Sequence, residues 1–562
     1  MQSAAVRFSA WGAVVSIILA IAAYFAALGS DHAATNGDEL LYAQIARVTA
    51  ESGALLPLQT AIEFHRNTKP PALFWQGILT TDWAKNWSLW ELRWPNVAYS
   101  FGIAAMVFLL ARKLSGHAST GLLAALAYLA FFGTYRYGRV FLTSAPETFW
   151  LFAPFFILLC FVKNQPGISW LQALAFGLMF GAALLYKSFA LVLPATAGLA
   201  WWGLHQRGYR FGEWLRRDVP RVALSGIVAL GVFSLWFILD PERELLFRDF
   251  VLKENVGKFN TGGQNYFLNL LWGQSSIWRN VAAIPINAGL LALTTIALFV
   301  IAWIKRRETT EPERLLWIWI ATVFLAFTLP NQRDERYLLP AMPAVAVLLA
   351  LHWTQIPRWI FCITLLAVAV IALGMVLGGA LLTTTAGLGT LYPWYAWLLL
   401  SAVMGFAAVG FFRKNLTHTL AVPAILSLYL GYAAFLIPFD GPLGEFDGKA
   451  AAFAKGKTIP APINFNAREE IYQFMLPGTQ LAPYHTNNKI PVDKLAESGV
   501  FIATVSLDDD SIESNPRFRI VGTRLQIIDR FNNTETIDML TGNVARNLFK
   551  KDLLVEVLPA AQ

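Results

Sequence analysis

Two adjacent carboxylates stand in the run Asn36-Gly37-Asp38-Glu39-Leu40-Leu41-Tyr42-Ala43, shortly after the first apolar stretch. Gly and Asp there announce a helix start, which places an acidic pair at the membrane surface. Asp38 as a helix cap and Glu39 on the positive helix end account for the pattern without chemistry; an acidic group facing a membrane-surface cleft is the functional reading. Lys69 follows in Asn67-Thr68-Lys69-Pro70-Pro71-Ala72-Leu73-Phe74-Trp75, a cation on a stiff, donor-poor turn beside an aromatic face. Such a lysine suits a phosphate, although a lysine snorkelling beside Trp75 has the same sequence. Lys187 interrupts the apolar run from Ala182 to Ala190, where an ionisable group is costly unless it is used or snorkels. Lys253, Glu254, Asn255 and Lys258 lie between Phe250 and Phe259, and Arg336 and Tyr337 lie in Arg333-Asp334-Glu335-Arg336-Tyr337-Leu338-Leu339-Pro340.

The elements that must position these groups are membrane helices. Of 562 residues, 56% are hydrophobic and 14% charged, against about 25% charged in an ordinary soluble domain, and mean hydropathy is +0.49. A soluble multidomain enzyme is excluded. Apolar runs of roughly 17 to 24 residues, each able to cross a hydrocarbon core about 30 Å thick, predict about thirteen transmembrane helices. They fall near residues 11–28, 95–111, 118–134, 142–162, 170–186, 188–204, 222–239, 281–304, 314–329, 337–352, 359–381, 395–412 and 419–437. Their continuous apolarity excludes an outer-membrane barrel, whose strands alternate. Cys160 and Cys362 both lie in apolar runs, so neither a disulfide framework nor a Cys-based zinc site is expected.

The formal net charge of +8 is distributed by topology. With Arg7 inside, the cytoplasmic turns hold Arg112, Lys113, Lys163, the arginines from Arg207 to Arg221, the run Lys305 to Arg307, Arg358, Arg413 and Lys414. Every inside turn is then basic, as the positive-inside rule requires. Residues 1–437 are thus expected to form an all-α polytopic membrane domain with long periplasmic loops at 29–94 and 240–280. An odd span count puts the polar remainder, residues 438–562, on the outer side. Its runs Val500 to Val505 and Phe518 to Ile528 predict a small α/β domain. All the charged motifs fall on the outer face, where their convergence points to a lipid-phosphate site.

In order, the Asp-Glu pair with Tyr42, the Lys-Pro-Pro turn, the Tyr-Lys-Ser bend, the Glu-Asn-x-x-Lys-Phe segment and the Arg-Tyr-Leu-Leu-Pro turn resemble the GT-C membrane glycosyltransferases related to protein O-mannosyltransferases. The resemblance implies the GT-C fold, a polyprenyl-phosphate-linked sugar as donor, and reaction at the periplasmic surface of the bacterial inner membrane with undecaprenyl phosphate released. Within that group the chain looks most like the members that move 4-amino-4-deoxy-L-arabinose onto lipid A phosphates and confer resistance to polymyxin and cationic antimicrobial peptides. By the same resemblance Asp38, beside Glu39, takes the place of the family's loop carboxylate, and Lys69, Arg336 and Tyr337 fall where the family binds donor phosphate or closes the site. Tyr42, Lys187 and the segment with Lys253, Glu254, Asn255 and Lys258 match further family patterns. One departure stands out: where relatives carry an Asp shortly after an Arg, the run from Arg139 has Ala145. Glu147, two residues on, either substitutes or the second carboxylate is dispensable.

A C1–phosphate bond that breaks with charge growing on a lipid phosphate needs fixed cations in a partly dehydrated cleft. Asp38 is the natural general base for a hydroxyl acceptor. For a lipid A phosphate, largely ionised at pH 7, it would instead orient the acceptor or pair with a cationic amino-sugar. No cofactor is required; a divalent metal such as zinc is open, with Glu63, His65 and His485 as ligands if folding brings them together, although the histidines lack zinc spacing. The expected partners are the undecaprenyl-phosphate-linked donor, lipid A or a related acceptor, and membrane lipids, with no nucleic acid and a monomeric state. Two alternatives remain: a transferase of this type with a protein or glycan acceptor, and a lipid or small-molecule transporter, whose charges should lie near the bilayer midplane in repeated halves.

Overall fold

The computed structural model describes residues 8–32, 37–61, 66–161, 167–259, 265–273, 275–385, 392–441, 443–463, 467, 469–485, 490–527 and 549–559. Helices occupy all thirteen expected positions, from Ala10–Phe25 through Leu89–Ser115, Ser144–Phe161, Trp170–Tyr186, Val192–Gln206, Val219–Leu239 and Glu311–Thr328 to Thr417–Leu436. Among the described residues, eight helical stretches are long and apolar enough to cross a membrane, or nine if the pair Ala118–Ala130 and Phe132–Gly138, bent by 63°, is one span. The number short of thirteen has a local cause. Ala10–Phe25, Trp170–Tyr186 and Val192–Gln206 have only 16, 17 and 15 residues, at or below the short end of the range of about 17 to 25 that spans the hydrocarbon core. Glu311–Thr328 opens on Glu311, Glu313 and Arg314, which dilute its apolar stretch.

The helix ends follow from the sequence. Ser88 opens Leu89–Ser115 by accepting from the Glu91 amide, and Gly116, at φ 76°, closes it in the left-handed conformation that glycine adopts without strain. Ser169 and Gln172 form a reciprocal capping box at the start of Trp170–Tyr186. That helix lies flat against Val219–Leu239 because Gly177 and Gly181 leave no side chain in between: a Cβ on Gly177 would sit 2.7 Å from Val228 Cβ. Small residues four apart allow this close helix approach in a membrane.

The C-terminal remainder folds into two small sheets. Strand β1 (Thr458–Ile463) runs parallel to β2 (Gln480–His485), and β5 (Phe549–Val557) lies between β3 (Val500–Ser506) and β4 (Phe518–Ile527) in an antiparallel sheet. Alternation puts Phe501, Ala503, Val505, Leu553 and Val555 in one core and Ile502 and Leu554 in another. This unit docks on the loop helix Gly37–Glu51: Arg47 forks onto Glu470 at 2.7 and 2.8 Å, and Gln44 donates to Glu469 at 2.7 Å. The helix carrying Asp38 is therefore held on one side by Glu469 and Glu470 of the C-terminal unit and on the other by Arg93 of Leu89–Ser115.

A charged cluster at the loop helix

Asp38 and Tyr42 are one helical turn apart on Gly37–Glu51 and share a face. Asp38 accepts from Arg336 Nη1 at 2.7 Å. Arg336 is held by its own turn: Asp334 accepts from the Arg336 amide at 3.0 Å, Asn287 donates to Glu335 O at 2.7 Å, and the Trp319 indole donates to Pro340 O at 2.8 Å. Lys69, fixed by Pro70 and Pro71 ahead of the helix Ala72–Thr80, donates to Glu254 Oε1 at 3.0 Å, and Lys258 reaches the same oxygen at 2.8 Å. Two ammonium groups thus share one carboxylate. Tyr42 lies within electrostatic reach of Asp38, Lys69, Glu254 and Arg336, which joins the two ion pairs into one cluster.

Lys187 ends Trp170–Tyr186 and donates to Glu147 Oε1 at 2.7 Å, while its ammonium stands 5.0 Å from the Tyr337 ring centroid. Glu147 is completely buried, and Thr143 donates to its other oxygen at 3.4 Å. The bend after Lys187 is tied to the basic loop, because Ser188 donates to Asn255 Oδ1 at 2.6 Å. The loop is tied in turn to the Arg336 turn by the Asn331 amide on Lys258 O at 2.9 Å and Asn331 Nδ2 on Phe259 O at 2.8 Å. Four distant segments converge through these bonds, and no single motif contains the site.

Electrostatics separate the members of the cluster. Burial and the neighbouring Lys69 lower the Lys258 ammonium to about 8. Burial opposes the charge of Glu254, but Lys69 and Lys258 outweigh it and hold that carboxyl below its ordinary range. Burial likewise disfavours a charged Lys69, yet Glu254 beside it keeps the ammonium above its usual value. Burial pushes the Tyr42 phenol up to about 12, so it stays a neutral hydrogen-bond donor.

Other candidates lie elsewhere. Glu39 is 1% exposed and accepts from Arg93 Nε and Nη2 at 2.7 and 2.8 Å and from the Phe141 amide at 2.8 Å, so it braces the fold rather than facing the cluster. Lys253 is two-thirds exposed and pairs with Asp249 at 2.8 Å. Asn255 is buried and spends its amide on Phe250 O at 2.8 Å, a bracing role. Ala145 is buried in the first turn of Ser144–Phe161, and Arg139 points away to Tyr24 O at 2.9 Å and the Tyr135 hydroxyl at 2.8 Å. Sequence reasoning missed Arg93; an arginine at the start of an apolar run is the feature that could have flagged it.

Of the three metal-ligand candidates, Glu63 and His65 lie outside the described residues, and His485 is exposed at the end of β2. Among the described residues, Asp31, His32 and Asp440 form one group of metal-capable donors. His32 Nδ1 already lies 2.8 Å from Asp31 and 3.2 Å from Asp440, and Arg524 approaches Asp31 at 3.4 Å. Burial opposes a charged His32, but the two aspartates outweigh it and raise the imidazole to about 9. With Arg524 beside Asp31, the three side chains form an ion-pair network in this structure.

The whole arrangement, apolar helices under a charged loop cluster, has the fold of the GT-C membrane glycosyltransferases, and the chain is a multi-pass membrane protein. It matches the crystal structure of ArnT from Cupriavidus metallidurans bound to undecaprenyl phosphate with a TM-score of 0.63 and 17% identity, over 99% of this chain and 100% of the other. The apo form of that protein gives 0.60 at 16% identity, over 98% of this chain and 99% of the other. The family model for dolichyl-phosphate-mannose-protein mannosyltransferase matches residues 13–248. The chain is also similar to the undecaprenyl phosphate-alpha-4-amino-4-deoxy-L-arabinose arabinosyl transferase of Yersinia pestis (strain Pestoides F), 25% identical over 425 residues, 71% of this chain and 72% of that protein.

Proposed function

We infer that the protein transfers a sugar from a polyprenyl-phosphate donor, specifically 4-amino-4-deoxy-L-arabinose from undecaprenyl phosphate to a phosphate of lipid A, at the periplasmic face of the inner membrane. The observation that carries this reading is the bridging of Lys69 and Lys258 by Glu254 beside the Asp38–Arg336 pair. One carboxylate holds two ammonium groups in place and leaves an excess of positive charge for an entering phosphate. In the transfer, an ionised acceptor oxygen attacks C1, the C1–O bond to the donor phosphate breaks, and its electron pair stays on the departing lipid phosphate. Lys69, Lys258 and Arg336 stabilise that growing charge. A phosphate acceptor brings its own nucleophilic anion and no proton has to be removed, so Asp38 orients the acceptor or meets the amino-sugar cation. The basic turns support a cytoplasmic N-terminus and a periplasmic C-terminal domain.

Mass spectrometry of lipid A from cells with and without the gene tests the reading. An aminoarabinose increment that appears only with the protein is expected, together with higher polymyxin tolerance. An unchanged lipid A with another altered glycan would overturn the acceptor assignment.

The pH dependence is a second expectation. Lys258, lowered to about 8, is cationic below that pH and loses its charge as pH rises through it, while Lys69 keeps its own. The kcat/KM for donor, which reports the free enzyme, should therefore fall above about pH 8. Lys258→Arg should move that limb upward, since a guanidinium stays charged. A limb unmoved in the arginine variant would assign it to another group.

A further inference from the structure

At the end of the short helix Phe132–Gly138, Arg136 and the capping residue Arg139 have opposite surroundings. Arg139 is buried, and its guanidinium donates to Tyr24 O, the Tyr135 hydroxyl and Ala26 O. Arg136 is half-buried, and among the described residues it has neither an ion pair nor a hydrogen bond. Among the described residues it is held by rings, its guanidinium carbon 5.9 Å from the Phe132 centroid and 5.2 Å from that of Tyr137. Tyr137 in turn donates to Glu335 at 3.4 Å, the residue before Arg336, and the helix packs against that same turn. Arg136 therefore stands at the edge of the charged cluster.

A guanidinium presents five N–H donors in a planar fork and does not lose its proton. The Arg136 fork has no acceptor among the described residues, so its donors are open to a ligand, and two rings fix the direction in which it points. The surrounding cations are already committed: Lys69 and Lys258 to Glu254, Lys187 to Glu147, Arg336 to Asp38 and Arg279 to Glu335. Resting on the transferase reading, we propose that Arg136 is a specificity residue for the acceptor: its fork receives a lipid-borne phosphate, separate from the donor phosphate held by Lys69 and Arg336, and thereby selects phosphorylated acceptors. Planar bidentate recognition of a phosphate is the geometry an arginine fork fits best.

The test uses full-length protein in dodecyl maltoside, free of phospholipid, with saturating undecaprenyl phosphate. Binding of lipid A is compared with binding of the same lipid stripped of its phosphates. Wild type should prefer the phosphorylated lipid by at least about tenfold, the scale of a charge-assisted bidentate interaction. Arg136→Gln, which keeps the stem packed on the rings, should lose most of that preference while undecaprenyl phosphate affinity stays within about twofold, the spread expected for a change remote from the donor phosphate. Arg136→Lys, which keeps charge but not the fork, should fall between, and inorganic phosphate should compete in wild type more than in Arg136→Gln. Retained preference in Arg136→Gln, no preference in wild type, or parallel loss of affinity for both lipids and for undecaprenyl phosphate would each overturn the assignment. Wild-type protein that discriminates phosphate yet transfers no aminoarabinose would sink the proposed reaction and leave the subsite standing.

Discussion

Alanine at Lys69 or at Arg336 is expected to lower sugar transfer by roughly tenfold to a hundredfold with thermal unfolding almost unchanged, because removing a charge-assisted hydrogen bond from the transition state costs about 1.5 to 3 kcal/mol. The fold should tolerate both changes for reasons visible at the site. Without Lys69, Glu254 keeps Lys258 at 2.8 Å and is not left as a lone buried charge. Without Arg336, Asp38, about a third exposed, regains water. Single-turnover transfer by purified protein, with unfolding followed in parallel, separates the two effects. Normal transfer by both variants would remove the phosphate from this cluster; a drop in unfolding temperature as large as the activity loss would make the residues structural. Asp38→Asn belongs to the same experiment: a helix cap tolerates Asn well, so lost activity in a well-folded variant assigns the carboxylate to the reaction.

Arg93→Ala should do the reverse, and by more. Its guanidinium makes the two bonds to Glu39 and donates also to Leu28 O and Ser30 O at 2.9 and 2.6 Å. Both partners are at most 2% exposed. Truncating one leaves a buried charge without its counterion, at a cost of about 3 to 5 kcal/mol, whereas replacing both members by apolar residues is far milder. Poor expression and a strongly lowered unfolding temperature are expected for Arg93→Ala, with partial recovery in the Arg93→Met, Glu39→Met double variant. A stable but inactive Arg93→Ala protein would show that Glu39 serves the chemistry after all.

The neighbours Asp38 and Glu39 show why the reading of the sequence stops where it does. Both are catalytic candidates by residue type and position. One helical step rotates a side chain by about 100°, so adjacent carboxylates face different surroundings. Which one meets the site depends on what packs against each face, here Arg336 on one side and Arg93 on the other, residues 298 and 54 positions away. The same holds for Lys253 and Lys258: one turn of the basic loop sends the first to solvent and the second to Glu254.

The amino-acid sequence alone determined the membrane helices and the short list of charged turns. Apolar length and helix caps are local properties, and a charge interrupting an apolar run is conspicuous wherever it falls. Even so, three of the expected spans lie at or below the short end of the membrane-crossing range, because their boundaries depend on caps and turns that a hydropathy window averages over. Tertiary structure alone decided which charges are partners, that Glu254 gathers two lysines, that Glu39 belongs to Arg93, and that Arg136 and Arg139, on one short helix and its cap, differ in being unfilled and filled. Ion pairing joins segments far apart in the chain, and its energy depends on burial and distance, neither of which is written in the order of residues.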